Sequence, residues 1–210
     1  MPKNFKKKAK FIQRILDKFY PNPKIPLDFS DPFTLLIATM LSANSRDIVA
    51  NRITKILFKK ANSPQKMLKL SQVEIEKIIK PCGLGPTRSK NILKICKILI
   101  EKHSSKVPLS FKELEALPGI GHKTASVVIG VFYNQNTFPV DTHVFRLAKR
   151  WGLTSKKSSI KQAEADLKNI FPEKDWFKIH LQMIYFGRLF CKAKGHVIKD
   201  CPICSKLTGF

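Results

Sequence analysis

Apolar residues recur along most of the chain at intervals of three and four, the period of a helix with one buried face. Phe5, Ala9, Ile12, Leu16 and Phe19 fall on one such face among lysines and predict a helix over residues 5–19. Pro21, Pro23 and Pro26 then impose an extended connector, because each proline ring locks φ and removes a donor. Asp31-Pro32 has the form of an N-cap followed by proline at the first helical position, with Phe33, Leu36, Ile37, Met40 and Leu41 as the stripe behind it. Helices are also predicted from Asp47 to Lys59, from Ser63-Pro64 onward, and from Ser71, where Ser71-Gln72-Val73-Glu74 is a capping box closed by Pro81. Beyond Pro86 an apolar face runs through Ile92, Ile95, Cys96 and Leu99. Ser110-Phe111-Lys112-Glu113 is a second capping box, whose helix must stop before Pro118.

One run argues for a strand by composition: Val127-Val128-Ile129-Gly130-Val131-Phe132-Tyr133. It has no run of similar character nearby to pair with, so it is read as a buried helix. Asp141, Ser158 or Ser159, and Pro172 mark three more helix starts, the last continuing through Trp176, Ile179, Met183 and Phe186. The pattern is all-α, with about ten short helices joined by short loops. The lysine-rich first ten residues and the cysteine-bearing last twenty differ from the rest. Gly83-Leu84-Gly85 and Gly119-Ile120-Gly121 echo one another, each before a basic helix start.

Length and charge narrow the function. A chain of 210 residues with 43% hydrophobic content can bury a real core, which excludes a disordered tail or a fibrous repeat. Lys+Arg 39 against Asp+Glu 15 gives a formal charge of +24, and such an excess predicts a polyanionic partner, most simply nucleic acid, with anionic lipid as the competitor. No apolar run reaches the roughly 20 residues of a membrane span. The basic start leads into Phe11–Tyr20, which Gln13, Arg14, Asp17 and Lys18 interrupt, so it is not the core of a signal peptide. A cytoplasmic, reducing setting is therefore expected, nucleoid-associated if the source is bacterial, and the five cysteines are read as thiols or metal ligands before disulfides.

The strongest local motif is Leu117-Pro118-Gly119-Ile120-Gly121-His122-Lys123-Thr124-Ala125. Two glycines around an apolar residue permit a tight turn whose N–H groups face outward, and the following helix N-terminus adds partial positive charge, together a phosphate cradle. The plainer reading is a helix-to-helix turn with Ile120 as a core plug. A nucleotide P-loop is disfavoured, since it needs four residues between its glycines.

This segment resembles the helix-hairpin-helix of the DNA glycosylase superfamily, and Val140-Asp141-Thr142-His143-Val144-Phe145-Arg146 resembles its companion aspartate segment. Leu36-Ile37-Ala38, Leu41-Ser42-Ala43-Asn44 and Cys82-Gly83-Leu84 extend the likeness over nearly the whole chain, toward the endonuclease III family. The resemblance implies two helical domains flanking a DNA-binding cleft: a six-helix barrel with the hairpin at 24–135, and a second domain made from 1–23 with 136–210. Lys123 and Asp141 would come from opposite sides of that cleft.

The implied activity is a bifunctional glycosylase and lyase of base excision repair, acting on oxidised pyrimidines and abasic sites in damaged double-stranded DNA, as a monomer and without a membrane. Lys123 would attack C1′ and form a Schiff base that permits β-elimination. Its attacking amine must be neutral, which the helix N-terminus and nearby cations would favour. Asp141 would stabilise the cationic sugar, while also reading as an ordinary N-cap. Adenine-mismatch relatives lack a lysine at the matching position. A monofunctional glycosylase and a noncatalytic hairpin binder remain the other classes; a two-metal nuclease lacks its acidic cluster.

For DNA contacts the resemblance points to Gly119, Gly121, His122 and His143 near phosphate, with Asn44 and Leu84 filling the space left by an extruded nucleotide. The family more often has glutamine where Asn44 stands. Leu84 also reads as core, Asn44 as a loop cap, and Arg146 as a solvated or salt-bridged helix residue.

The chemistry requires no cofactor, yet the family carries a [4Fe-4S] cluster on four carboxy-terminal cysteines. Here nine residues separate Cys191 from Cys201, two separate Cys201 from Cys204, and Phe210 stands at the fourth position. Adding His196 gives three sulfurs and one imidazole, which suits tetrahedral zinc. A loop without metal, a cluster with an unusual ligand or open site, and zinc stand as alternatives. Lys192, Lys194 and Lys199 fall in the same loop, which in the family approaches the DNA backbone.

Overall fold

A computed structural model describes residues 3–43, 45–133 and 135–209. All regular structure among them is helical, as the periodicity predicts. The chain forms two compact units, Ile25–Gln135 and Met1–Lys24 with Asn136–Phe210.

In the unit Ile25–Gln135, α2 (Pro32–Ser42) begins where Asp31 caps it: the Asp31 carboxylate accepts from the Thr34 amide at 2.8 Å and the Thr34 hydroxyl accepts from the Asp31 amide at 3.0 Å. Every residue from Phe33 to Leu41 is buried, so α2 is a central helix rather than one with an apolar stripe. On it packs α3 (Asp47–Lys60); the short α4 (Pro64–Met67) and α5 (Gln72–Ile79) pack on α6 (Gly85–His103), and α7 (Phe111–Glu115) follows. Ser71 and Glu74 form the reciprocal cap of α5. At α7 the return bond differs from that pattern, because Ser110 accepts from the Glu113 amide but gives its hydroxyl to the Glu113 carboxylate at 2.6 Å.

The valine-rich run lies in α8 (His122–Phe132), with Thr124 through Ile129 all buried and the helix packed on α2. A helix buried along its middle has its ionisable residues at its ends. His122 is accordingly exposed and Lys123 half-buried, in the first turn.

The other unit contains α1 (Lys3–Phe19), α9 (Thr142–Arg150), α10 (Ile160–Ile170) and α11 (Trp176–Leu189). A 3-10 turn, Glu173–Asp175, intervenes between Pro172 and α11. Ile12, Leu16, Trp151 and Phe186 are almost wholly enclosed in its core, which also takes in Cys191, Cys201, Ile203 and Cys204. The ring of Phe19 packs edge-on to Phe190, with centroids 4.7 Å apart.

Polar contacts latch α1 to α11. Lys178 pairs with Asp17 at 2.6 Å, and the buried Gln182 amide donates to Asp17 at 2.9 Å and to the Tyr20 carbonyl at 2.8 Å. Burial opposes ionisation of Asp17, but the hydrogen bonds from Lys178 and Gln182 and the nearby ammonium outweigh it, holding the carboxyl below its ordinary value. A depressed carboxyl contributes stability above its unfolded pKa of about 3.9 and loses that contribution as pH falls through the lower folded value. Asp17→Asn is therefore expected to lower the urea midpoint at neutral pH, with the gap to wild type narrowing below about pH 4. A gap that stays constant across that range would show that the Asp17 charge contributes nothing.

Candidate active site

The turn between α7 and α8 is held by two apolar plugs. Leu117 and Ile120 are both buried, and the Ile120 amide donates to the Leu117 carbonyl at 3.1 Å. Between them Gly119 has φ +77°, and a Cβ there would come within 2.6 Å of the Asn91 side-chain nitrogen. Gly121 serves a different purpose: it is the N-cap of α8 at an ordinary φ of −98°, and a Cβ there would meet nothing within 4 Å. The turn is thus closed on its core side and open at Gly121. The first turn of α8 contains no acidic residue, so the positive end of the helix dipole is not neutralised from within it.

His122 joins the two arms of the hairpin. Its ring stacks on Phe111 with centroids 5.0 Å apart, and its Nδ1 lies 2.6 Å from the Glu115 carboxylate. The contact supports the hairpin from below as well as offering a ring near the turn.

Gly83 has φ +77° and Leu84 follows at φ 54°, a left-handed conformation that costs a branched residue roughly 1–2 kcal/mol. Leu84 is 65% exposed, so the core reading of this residue does not hold. Behind it sits Arg88, only 6% exposed, whose guanidinium donates to the carbonyls of Leu41 at 3.0 Å and Cys82 at 2.8 Å and also to that of Ala43. One cation therefore fastens the end of α2 to the turn before Leu84. Burial lowers its pKa from the ordinary arginine value. Asn44 lies outside the described residues.

In the other unit Asp141 caps α9, accepting from the Val144 amide at 2.8 Å. His143 and Arg146 are one turn apart, with Nδ1 and Nη2 at 3.3 Å. Arg146 is half-buried and donates to the carbonyls of Gly187 and Cys191, each at 3.0 Å, so it is a clamp on the end of α11 rather than a solvated residue. Burial, with Arg150 beside it, lowers its pKa. Arg150 donates to the Lys192 carbonyl at 2.9 Å and to the Cys191 sulfur at 3.3 Å.

The cysteine loop gathers Cys191, His196, Cys201 and Cys204, whose ligand atoms all lie within 4.8 Å of one another, a set that can hold a metal ion. Cys191 Sγ is 3.7 Å from Cys204 Sγ and 3.6 Å from His196 Nε2, and the Cys204 amide donates to Cys201 Sγ at 3.4 Å. Hydrogen bonds from the Cys191 and Cys204 thiols, helped by His196 and the Cys204 amide, push Cys201 far down, while its two partners are pushed up. Cys82 and Cys96 are buried in the other unit. Lys192, Lys194 and Lys199 are exposed on the loop, and Phe210 lies outside the described residues.

Arg88 and Arg150 were not singled out by motif. A sequence trace of Arg88 exists: it stands four residues before Ile92, in register with the buried stripe of α6.

A family model described as HhH-GPD superfamily base excision DNA repair protein matches residues 37–173. An endonuclease III from Rickettsia felis is 44% identical over 193 residues, covering 92% of this chain and 89% of that protein. The chain belongs to the endonuclease III family. A solved structure of a non-covalent endonuclease III–DNA complex matches with TM-score 0.92 and 36% identity, covering 95% of this chain and 94% of that one. A trapped endonuclease III–DNA covalent intermediate matches with TM-score 0.91 and 37% identity, covering 94% and 93%. Endonuclease III is a DNA glycosylase and lyase at abasic sites, and this member is an enzyme of base excision repair. No described helix is long and apolar enough to cross a membrane.

The two glycines of the hairpin are expected to respond differently to substitution. Gly119→Ala should destabilise by about 1–3 kcal/mol, combining a left-handed φ with the Asn91 clash, whereas Gly121→Ala should cost less than about 1 kcal/mol. Urea unfolding of both variants checks the pair; equal losses would remove the special conformational demand at Gly119.

Proposed function

We propose that this endonuclease III binds damaged duplex DNA, removes oxidised pyrimidines and cleaves 3′ to the abasic site by β-elimination, with Lys123 as nucleophile and Asp141 as the carboxylate at the sugar. The observation that carries the reading is the placement of Lys123, an amine in the first turn of a buried helix, directly after a hairpin open at Gly121. A relative of the same family forms a covalent intermediate with DNA, which a lysine nucleophile accounts for.

The neutral Nζ of Lys123 attacks C1′, and the glycosidic bond breaks with its electron pair leaving on the base, which is protonated. Loss of a proton from nitrogen and opening of the sugar ring give an imine between Lys123 and C1′. Removal of a C2′ proton then expels the 3′ phosphate oxygen, and water hydrolyses the imine to free the lysine. A hydroxyl nucleophile cannot form this imine, which is why the residue type matters. The Asp141 carboxylate, oriented by the Val144 amide, offsets positive charge as the glycosidic bond lengthens.

Leu84 supplies the wedge. An apolar side chain held outward on a strained backbone recovers its cost when it enters the gap left by an extruded nucleotide. Asn44 is assigned to the orphaned base by resemblance alone. The glycines at 119 and 121, His122, His143 and the exposed Lys192 and Lys194 are assigned to the phosphate backbone, and with a net charge of +24 the affinity should fall steeply as salt rises.

Borohydride trapping on duplex DNA containing an oxidised pyrimidine tests the mechanism. Wild type is expected to give a covalent adduct and Lys123→Gln none, with strand cleavage at background. Asp141→Asn preserves an N-cap of similar strength while removing the charge, so a fall of about a hundredfold in base release with unchanged stability is expected. Base release without any adduct in wild type would establish a monofunctional glycosylase; tight binding without base release would leave a binding module.

A further inference from the structure

We infer that Cys191, His196, Cys201 and Cys204 form a closed, mononuclear site for one zinc ion in place of the family's iron–sulfur cubane. Spacing is the first ground. Four ligands on one tetrahedral ion, with Zn–S of about 2.3 Å and Zn–N of about 2.0 Å, stand roughly 3.5–3.8 Å from one another. The sulfurs of Cys191 and Cys204 are 3.7 Å apart and the Cys191 sulfur and His196 nitrogen 3.6 Å apart, and no pair in the set exceeds 4.8 Å. In a cubane each thiolate sits on a different iron and leans outward from its corner, so its sulfurs are separated by an iron–iron edge and two diverging bonds. The loop is too tight for that body.

The donor set agrees. Three sulfurs and an imidazole match the Cys₃His class of structural zinc sites, and the absence of any carboxylate among the four disfavours the hard, oxygen-seeking cations. His196 stands in the long span between Cys191 and Cys201, where it brings a nitrogen to the group that Cys204 completes.

The surroundings are built to match. Three thiolates and a neutral imidazole around a divalent ion carry one net negative charge, and the Arg150 guanidinium sits 3.3 Å from the Cys191 sulfur to offset it. Arg150 and Arg146 also hold the carbonyls at 191 and 192, and the Cys204 amide points at the Cys201 sulfur. The three cysteines are buried, while a cavity of about 300 Å³ lined by Arg150, His196, Ile198, Cys204 and Leu207 gives an ion a way in beside the imidazole. Bound zinc closes the loop that displays Lys192, Lys194 and Lys199, and its role is structural.

The test is made on the full chain, produced with both iron and zinc in the medium and purified without oxygen, by measuring metals and acid-labile sulfide. One zinc per chain with no sulfide is expected. Replacement by cobalt(II) should give the intense visible bands of a tetrahedral thiolate site. His196→Cys should retain one metal with the bands shifted toward an all-thiolate site. His196→Ala should lose at least about tenfold in zinc affinity against a chromophoric chelator. Several irons with matching sulfide, a folded chain that takes up no zinc, or zinc affinity unchanged in His196→Ala would each overturn the assignment. Circular dichroism of each variant confirms that the chain compared is folded.

Discussion

The geometry of the hairpin depends on the packing of α8 into α2. Burial of each large apolar side chain contributes about 1.5–3 kcal/mol; α8 buries Val127, Val128 and Ile129 in the core and packs on a helix that is itself enclosed from Phe33 to Leu41. A rod fixed this firmly along its middle presents its first turn at a defined place and angle. The amine at Lys123 is therefore positioned by apolar contacts that take no part in chemistry. Ile120 does the same for the turn: the plug in the core and the open glycine after it are two sides of one bend.

The unit built from both ends of the chain is organised differently. Its core joins α1 to the carboxy-terminal loop through aromatic packing and buried thiols, while polar bonds at Asp17 and Gln182 set the register of α1 on α11. Arg146 and Arg150 project from α9 into the backbone of the loop, so a helix that begins at Asp141 also braces the segment carrying Lys192. In this unit the basic residues divide between structure and surface, and the exposed lysines remain for a polyanion.

Helices, caps and the hairpin were readable because they are local: a period of three and four, a serine three residues before a glutamate, a proline after an aspartate. The helical reading of Val127–Tyr133 rests on the lack of a partner run and agrees with α8 as far as Phe132, with Tyr133 as the C-cap. What was hidden depends on contacts between distant segments. Arg88 reaches carbonyls more than forty positions away, and Arg150 a sulfur equally remote; nothing in either's neighbours states which carbonyl waits for it. Arg146 hides its role for the same reason, since a basic helix residue suggests solvent or a salt bridge until its carbonyl partners at Gly187 and Cys191 are seen. Leu84 had two readings in the sequence, a gap-filling residue and a core residue, and its exposure on a left-handed backbone rules out the core.

The Arg88 junction differs in kind from the ionic contacts elsewhere in the molecule. It binds neutral carbonyls, not a carboxylate, and it is hidden from solvent. A guanidinium keeps its proton throughout the physiological range even when burial lowers its pKa, and dissolved ions cannot screen a contact they cannot approach. Ionic strength can loosen a protein's hold on phosphates while leaving such a joint intact. The end of α2 and the turn before Leu84 are thus tied by a joint that neither salt nor a change of pH within the physiological range undoes.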